Sequence, residues 1–84
     1  MIFVDKRIGV IAIIVEDENS IQNVNSILSD YSDLNVGRMG VPYKEKNVKV
    51  ISIIVDGTND KIGAMTGKLG RLNGVIVKSA LTKK

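Results

Sequence analysis

Cysteine and histidine are both missing from this 84-residue chain. Without cysteine there is no disulfide and no thiolate site, which excludes the iron–sulfur clusters of ferredoxins and the Cys-x-x-Cys loops of metal carriers. Without histidine the commonest transition-metal ligand and the commonest general base are gone, so the serines and threonines have no imidazole to activate them. Tryptophan is also absent, and Phe3, Tyr31 and Tyr43 are the only aromatics. RNA-recognition sheets stack bases on aromatics of their central strands. The apolar run Lys49-Val50-Ile51-Ser52-Ile53-Ile54-Val55 has none, which excludes that mode. No uncharged run approaches the roughly 18 apolar residues that span a bilayer. Asp5, Lys6 and Arg7 precede the first apolar run and no small-residue cleavage site follows it, so no signal peptide is expected. The expected setting is cytoplasmic, with no membrane partner.

The length fits one domain, taken as residues 1–84. A chain this short buries only about two-thirds of its unfolded surface, so its own core is thin. The net charge of +3 is spread out, densest at Lys44, Lys46 and Lys49 and at the tail Lys83-Lys84. Nucleic-acid binders concentrate such charge in a stripe, so these lysines read as solvated surface and no direct nucleic-acid partner is expected.

What the chain does have is a repeat. Residues 10–15 read Val-Ile-Ala-Ile-Ile-Val and residues 50–55 read Val-Ile-Ser-Ile-Ile-Val. Each run meets a polar turn, Glu16-Asp17-Glu18-Asn19-Ser20 or Asp56-Gly57-Thr58-Asn59-Asp60. With one residue of slippage, Ile21 matches Ile62, Val24 matches Met65, Leu28 matches Leu69 and Val36 matches Val77. Solenoids need roughly three copies or more; two copies imply one domain made of two β-α-β halves.

The pattern predicts strands over 7–15, 34–41, 48–55 and 75–82, helices over 19–32 and 58–72, and a connection over 42–47. Asn19, Asp17 or Ser20 could cap the first helix, and Thr58 the second. Asn73-Gly74 ends the second helix, with glycine suited to a left-handed position. The fold class is therefore α+β, a ferredoxin-like βαββαβ unit with a four-stranded antiparallel sheet and two helices on one face. Such a sheet should alternate apolar with polar residues. Here Val10, Ala12 and Ile14 oppose Ile11, Ile13 and Val15, while Val50, Ser52 and Ile54 oppose Ile51, Ile53 and Val55. Both faces are apolar and the helices cover one. The open face is expected to meet another copy, giving a homo-oligomer, dimer or tetramer. The pattern leaves open which set faces outward.

Gly63, Gly67 and Gly70 interrupt the second helix at up to about 1 kcal/mol each. Close packing on the sheet or the first helix is the expected reason; approach of a ligand or partner is the alternative. Gly67-Lys68-Leu69-Gly70 matches a Gly-x-x-Gly nucleotide loop only superficially, because the helical period runs through it. In Val36-Gly37-Arg38-Met39-Gly40-Val41-Pro42-Tyr43, two glycines mark a bulge or a close backbone approach, or else an edge strand blunted by irregularity. Arg38 offers a donor fork suited to a carboxylate. No catalytic constellation emerges, no cofactor is implied, and the scattered carboxylates lack a metal-ligand spacing.

Arg7-Ile8-Gly9-Val10-Ile11-Ala12-Ile13-Ile14-Val15-Glu16-Asp17, the Val36–Tyr43 block, Ile54-Val55-Asp56-Gly57-Thr58, Gly67-Lys68-Leu69-Gly70 and Val77-Lys78-Ser79-Ala80 together resemble the family of small iron-only hydrogenase system regulators. The resemblance covers nearly the whole chain, and Val-Gly-Arg-Met-Gly is its most specific piece. That family is similar to ACT domains and to the ligand-binding domain of the nickel-responsive repressor, regulatory modules that assemble through their sheets. The resemblance implies a regulatory setting. The repressor's metal site uses histidines and a cysteine, so nickel sensing does not carry over, and no segment is left for DNA binding. ACT-like modules bind ligands where a strand-to-helix loop meets a neighbouring subunit. The acidic turn at 16–20 would repel an anion. The candidate ligand-binding set is therefore Asp56, Gly57, Thr58 and Asn59, with Arg38 and Met39 from the edge strand of the same or a neighbouring subunit. The expected function is an oligomeric, ACT-like, non-catalytic module sensing a small-molecule effector; the alternative is an interaction or assembly module that binds no metabolite.

Overall fold

A computed structural model describes residues 5–83; Phe3 and Lys84 lie outside them. The element order is β1 (Lys6–Val15), α1 (Ile21–Asp30), β2 (Asn35–Tyr43), β3 (Val48–Thr58), α2 (Asn59–Gly70) and β4 (Val75–Leu81), with short 3-10 turns at Glu18–Ser20 and Ser32–Leu34. The strands form one antiparallel sheet in the order β2-β3-β1-β4. This is the ferredoxin-like α+β arrangement. The repeat is visible in the pairing. Ala12 faces Ser52 across the two central strands, and these residues hold equivalent positions in the two halves. A local two-fold axis thus passes between them.

The helices settle which alternating set is core. Ile11, Ile13 and Val15 of β1 and Ile51, Ile53 and Val55 of β3 are buried, and they pack with Val24 and Leu28 of α1, Ile62, Met65 and Leu69 of α2, and Leu34. Val10, Val50, Ile54 and Ile76 point the other way and stay more than 40% exposed. α2 reaches the sheet through Ile62, Met65 and Leu69, so Gly63, Gly67 and Gly70 fall on its outer side. A Cβ added at any of the three meets nothing within 4 Å. Close packing within the chain, the expected reason for these glycines, is therefore not the reason.

Both helices are a turn or less shorter than the periodicity, and two strand ends run beyond it. β2 runs through Pro42, which pairs with Lys49. An edge strand is bonded on one side only, so it tolerates a residue without an N–H. The connection shrinks to a tight turn, closed by Asn47 N–H to the Lys44 carbonyl at 3.2 Å, with Asn47 in the left-handed region at φ 54°. β3 continues to Thr58, because Lys6, Arg7 and Ile8 offer partners to Thr58, Gly57 and Asp56. No free loop separates β3 from α2.

The start of α1 is tied to the end of α2. Gly74 adopts φ 69°, and a Cβ there would lie 2.7 Å from that of Asp17. The Asp17 carboxylate accepts from Asn19 N–H at 3.0 Å and from Asn73 Nδ2 at 2.6 Å. Ser20 Oγ donates to the Asn73 carbonyl at 2.6 Å, and Glu16 N–H to that of Gly74 at 2.7 Å. The Asn73 amide, followed by the Asn19 N–H, holds the Asp17 carboxyl below the ordinary aspartate range. Asp17 is thus the residue that caps the first turn.

Candidate functional site

Three surfaces follow from this architecture, and β2 controls two of them. Asn35 pairs with Val55, but the next pair is Gly37 with Ile54, so Val36 is an extra residue in the strand. A one-residue bulge reverses the facing of everything after it. Arg38, opposite Ile53, is turned to the helix side; Met39, opposite Ser52, and Val41, opposite Val50, are turned to the open face. A Cβ added at Gly37 meets nothing within 4 Å, and one at Gly40 only Ile51 Cγ1 at 3.9 Å. The segment therefore has the bulge, on an edge strand, and no close backbone approach at either glycine.

The first surface is a cleft of about 240 Å3 between α1, the Ser32–Leu34 turn and the sheet. Leu28, Leu34, Ile53, Val55 and Met65 close its floor and are themselves buried, and Asn25, Ser29, Tyr31, Ser32 and Asn35 stand on its rim beside Arg38. Arg38 Nη2 donates to Asn25 Oδ1 at 3.0 Å. Among the described residues no carboxylate pairs with Arg38; the ion pairs are Arg7 with Asp5 and Lys61 with Asp33. Asn25, Ser29 and Ser32 were not singled out from sequence, although the spacing of four places Asn25 and Ser29 on one face of α1, with Ser32 in the turn that follows.

The second surface is a smaller cleft of about 160 Å3 lined by Lys6, Asp33, Leu34, Asp56, Gly57, Thr58 and Lys61. It gathers three of the four candidates from the second turn, while Asn59 heads α2 beside it. Thr58 and Gly57 have local roles. Thr58 Oγ1 accepts the Lys61 N–H at 3.2 Å as the N-cap of α2. Gly57 is buried, and a Cβ there would collide with Leu34 Cδ2. Lys61 Nζ lies 2.8 Å from Asp33 Oδ2, which lowers the Asp33 carboxyl and raises the Lys61 amine. Leu34 lines both clefts. Within one chain Arg38 therefore belongs to one hollow and Asp56, Gly57 and Thr58 to the other, while Met39, 67% exposed, belongs to neither.

The third surface is the open sheet face. Ile8, Val10, Met39, Val41, Tyr43, Val50, Ile54 and Ile76 are all exposed, arranged around the small Ala12–Ser52 pair. Four strands at about 4.8 Å spacing and seven residues at about 3.4 Å give roughly 450 Å2 in projection. Among the described residues no helix is long and apolar enough to cross a membrane, and no three carboxylates cluster so as to hold a metal ion.

The sequence matches the family model named TM1266-like, described as "Iron-only hydrogenase system regulator, putative", over residues 7–79. No curated protein matches it. Among solved structures it is similar to protein TM1266 from Thermotoga maritima, with 36% identity over 94% of this chain and 100% of that one, and a TM-score of 0.89. The chain belongs to the TM1266-like family of iron-only hydrogenase system regulators.

Proposed function

We propose that this chain is a non-catalytic regulatory module that works as an assembly of its own copies, joined through the open sheet face, and responds to a small-molecule effector. The observation that carries this reading is the open face. At roughly 450 Å2 in projection it matches the largest apolar patches that soluble monomers expose, which are often functional. Two copies would cover roughly 900 Å2 in projection, before side-chain relief, approaching the range of specific interfaces. A second copy is the natural occupant. The face carries few charges, Lys6, Asp56 and Lys78, so apolar centre meets apolar centre and charge stays marginal. Membership in a family of regulators supports the regulatory setting, and the missing histidine and cysteine support a role without catalysis.

The test is charge placement. Val10→Lys and Ile54→Lys should leave a folded monomer, because both side chains lie outside the core. Ile13→Lys should unfold the protein, because Ile13 is buried. An assembly that survives both open-face substitutions would overturn the proposal. The second reading, an assembly module without an effector, is favoured by one observation: Gly57 and Thr58 are already occupied by Leu34 and by the cap of α2.

A further inference from the structure

We infer that the cleft beside Arg38 is a binding site for a small monocarboxylate. The inference rests on the effector half of the function proposed above and places that effector away from the strand-to-helix junction. Three observations converge on it. The bulge at Val36 turns Arg38 from the open face to the helix side, where its aliphatic stem adds little to the core and its guanidinium stands over a hollow. Nη2 makes one bond, to a neutral amide oxygen, and no acid among the described residues pairs with the group. A planar fork with free donors fits a carboxylate in two-point fashion. The residues beneath, Leu28, Leu34, Ile53, Val55 and Met65, are closed by their own packing, so a guest meets Arg38 and the polar rim that includes Tyr31.

The cleft therefore presents one cation among neutral hydrogen-bonding groups, over a floor closed by core packing. The volume, about 240 Å3, lies below the range usual for drug-sized ligands, which limits the guest to a small one. Asn25, Ser29 and Ser32 supply further hydrogen bonds but no charge, so they add no repulsion to an anion. The acids nearest in sequence, Asp30 and Asp33, do not line the cleft, and Asp33 is engaged by Lys61.

The test is a titration of the 15N-labelled full-length protein followed by amide and arginine Nε resonances. The probes are isovalerate, its uncharged analogue isovaleramide, and inorganic phosphate. Isovalerate should give saturable shifts in the millimolar range, confined to α1 from Asn25 onward, the 32–34 turn and Arg38. Arg38→Gln should weaken that binding by about tenfold or more, the worth of a charge-assisted bond pair, with an unchanged melting temperature. Isovaleramide should not saturate, and phosphate should bind more weakly because a dianion meets a single cation there. Absence of saturable isovalerate shifts overturns the inference, as does binding unaffected by Arg38→Gln. Equal binding of phosphate overturns the assignment to a monocarboxylate. Shifts that map instead to Asp56–Asn59 move the site to the other cleft. Should the protein prove monomeric yet bind isovalerate at Arg38, the assembly reading fails while this inference stands.

Discussion

Gly57 and Leu34 give a perturbation whose sign separates structure from ligand binding. Gly57 lies in β3 opposite Arg7, and the space a Cβ would fill holds Leu34 Cδ2. Leu34 is 3% exposed and packs in the core. Gly57→Ala therefore overpacks the site, costing about 1–3 kcal/mol. Leu34→Ala removes a buried side chain and leaves a cavity, costing about 2–5 kcal/mol. In the double variant the new methyl enters the space Leu34 vacated, so its cost should fall short of the sum by at least about 1 kcal/mol, a coupling expected of side chains in contact. Each kcal/mol corresponds to about 4–8 °C in melting temperature for a domain of this size. Urea unfolding at one fixed protein concentration reads the cycle without a shift in subunit equilibrium. Strict additivity would refute the packing argument. A stable Gly57→Ala protein that has lost only an effector response would return Gly57 to the ligand-binding set.

The glycines on the outer side of α2 should behave oppositely. Gly63→Ala and Gly67→Ala should each raise stability by up to about 1 kcal/mol, since the added methyl meets nothing and helix propensity improves; loss of stability or of assembly would show that a partner lies against them. Asp17→Asn should destabilise near neutral pH. The folded Asp17 carboxyl is held below its unfolded value, so its contribution is present above the unfolded value of about 3.9 and is lost as pH falls through the folded one. The difference between the two proteins in urea midpoint should therefore shrink as pH drops below about 4, and a difference independent of pH refutes the role of its charge.

Much of the fold was legible because the repeat and the periods of two and 3.6 are unusually clean at residues 10–15, 50–55 and 62–69. The facing of the central strands was not, since both alternating sets are apolar. The hint lay in the even-numbered set, where Ala12 and Ser52 are small and sit beside Lys78 of β4. The bulge at Val36 was suggested by its neighbouring glycine, but its consequence, Arg38 and Met39 on opposite faces, depends on which pair the extra residue interrupts. Asp56-Gly57-Thr58 read as a turn because glycine and aspartate are poor strand formers. The structure keeps them in β3 because β1 supplies their ladder partners and Leu34 needs the room a glycine leaves. Thr58 as a helix cap and Gly74 in a left-handed position were legible, because each follows from local backbone chemistry alone.

The central claim, that the open face joins copies of this chain, is tested most directly by the mass of the untagged protein in sedimentation velocity at micromolar concentration. A dimer or tetramer that becomes a folded monomer on Ile54→Lys is the predicted result. A wild-type chain that sediments as a monomer across that range contradicts the account.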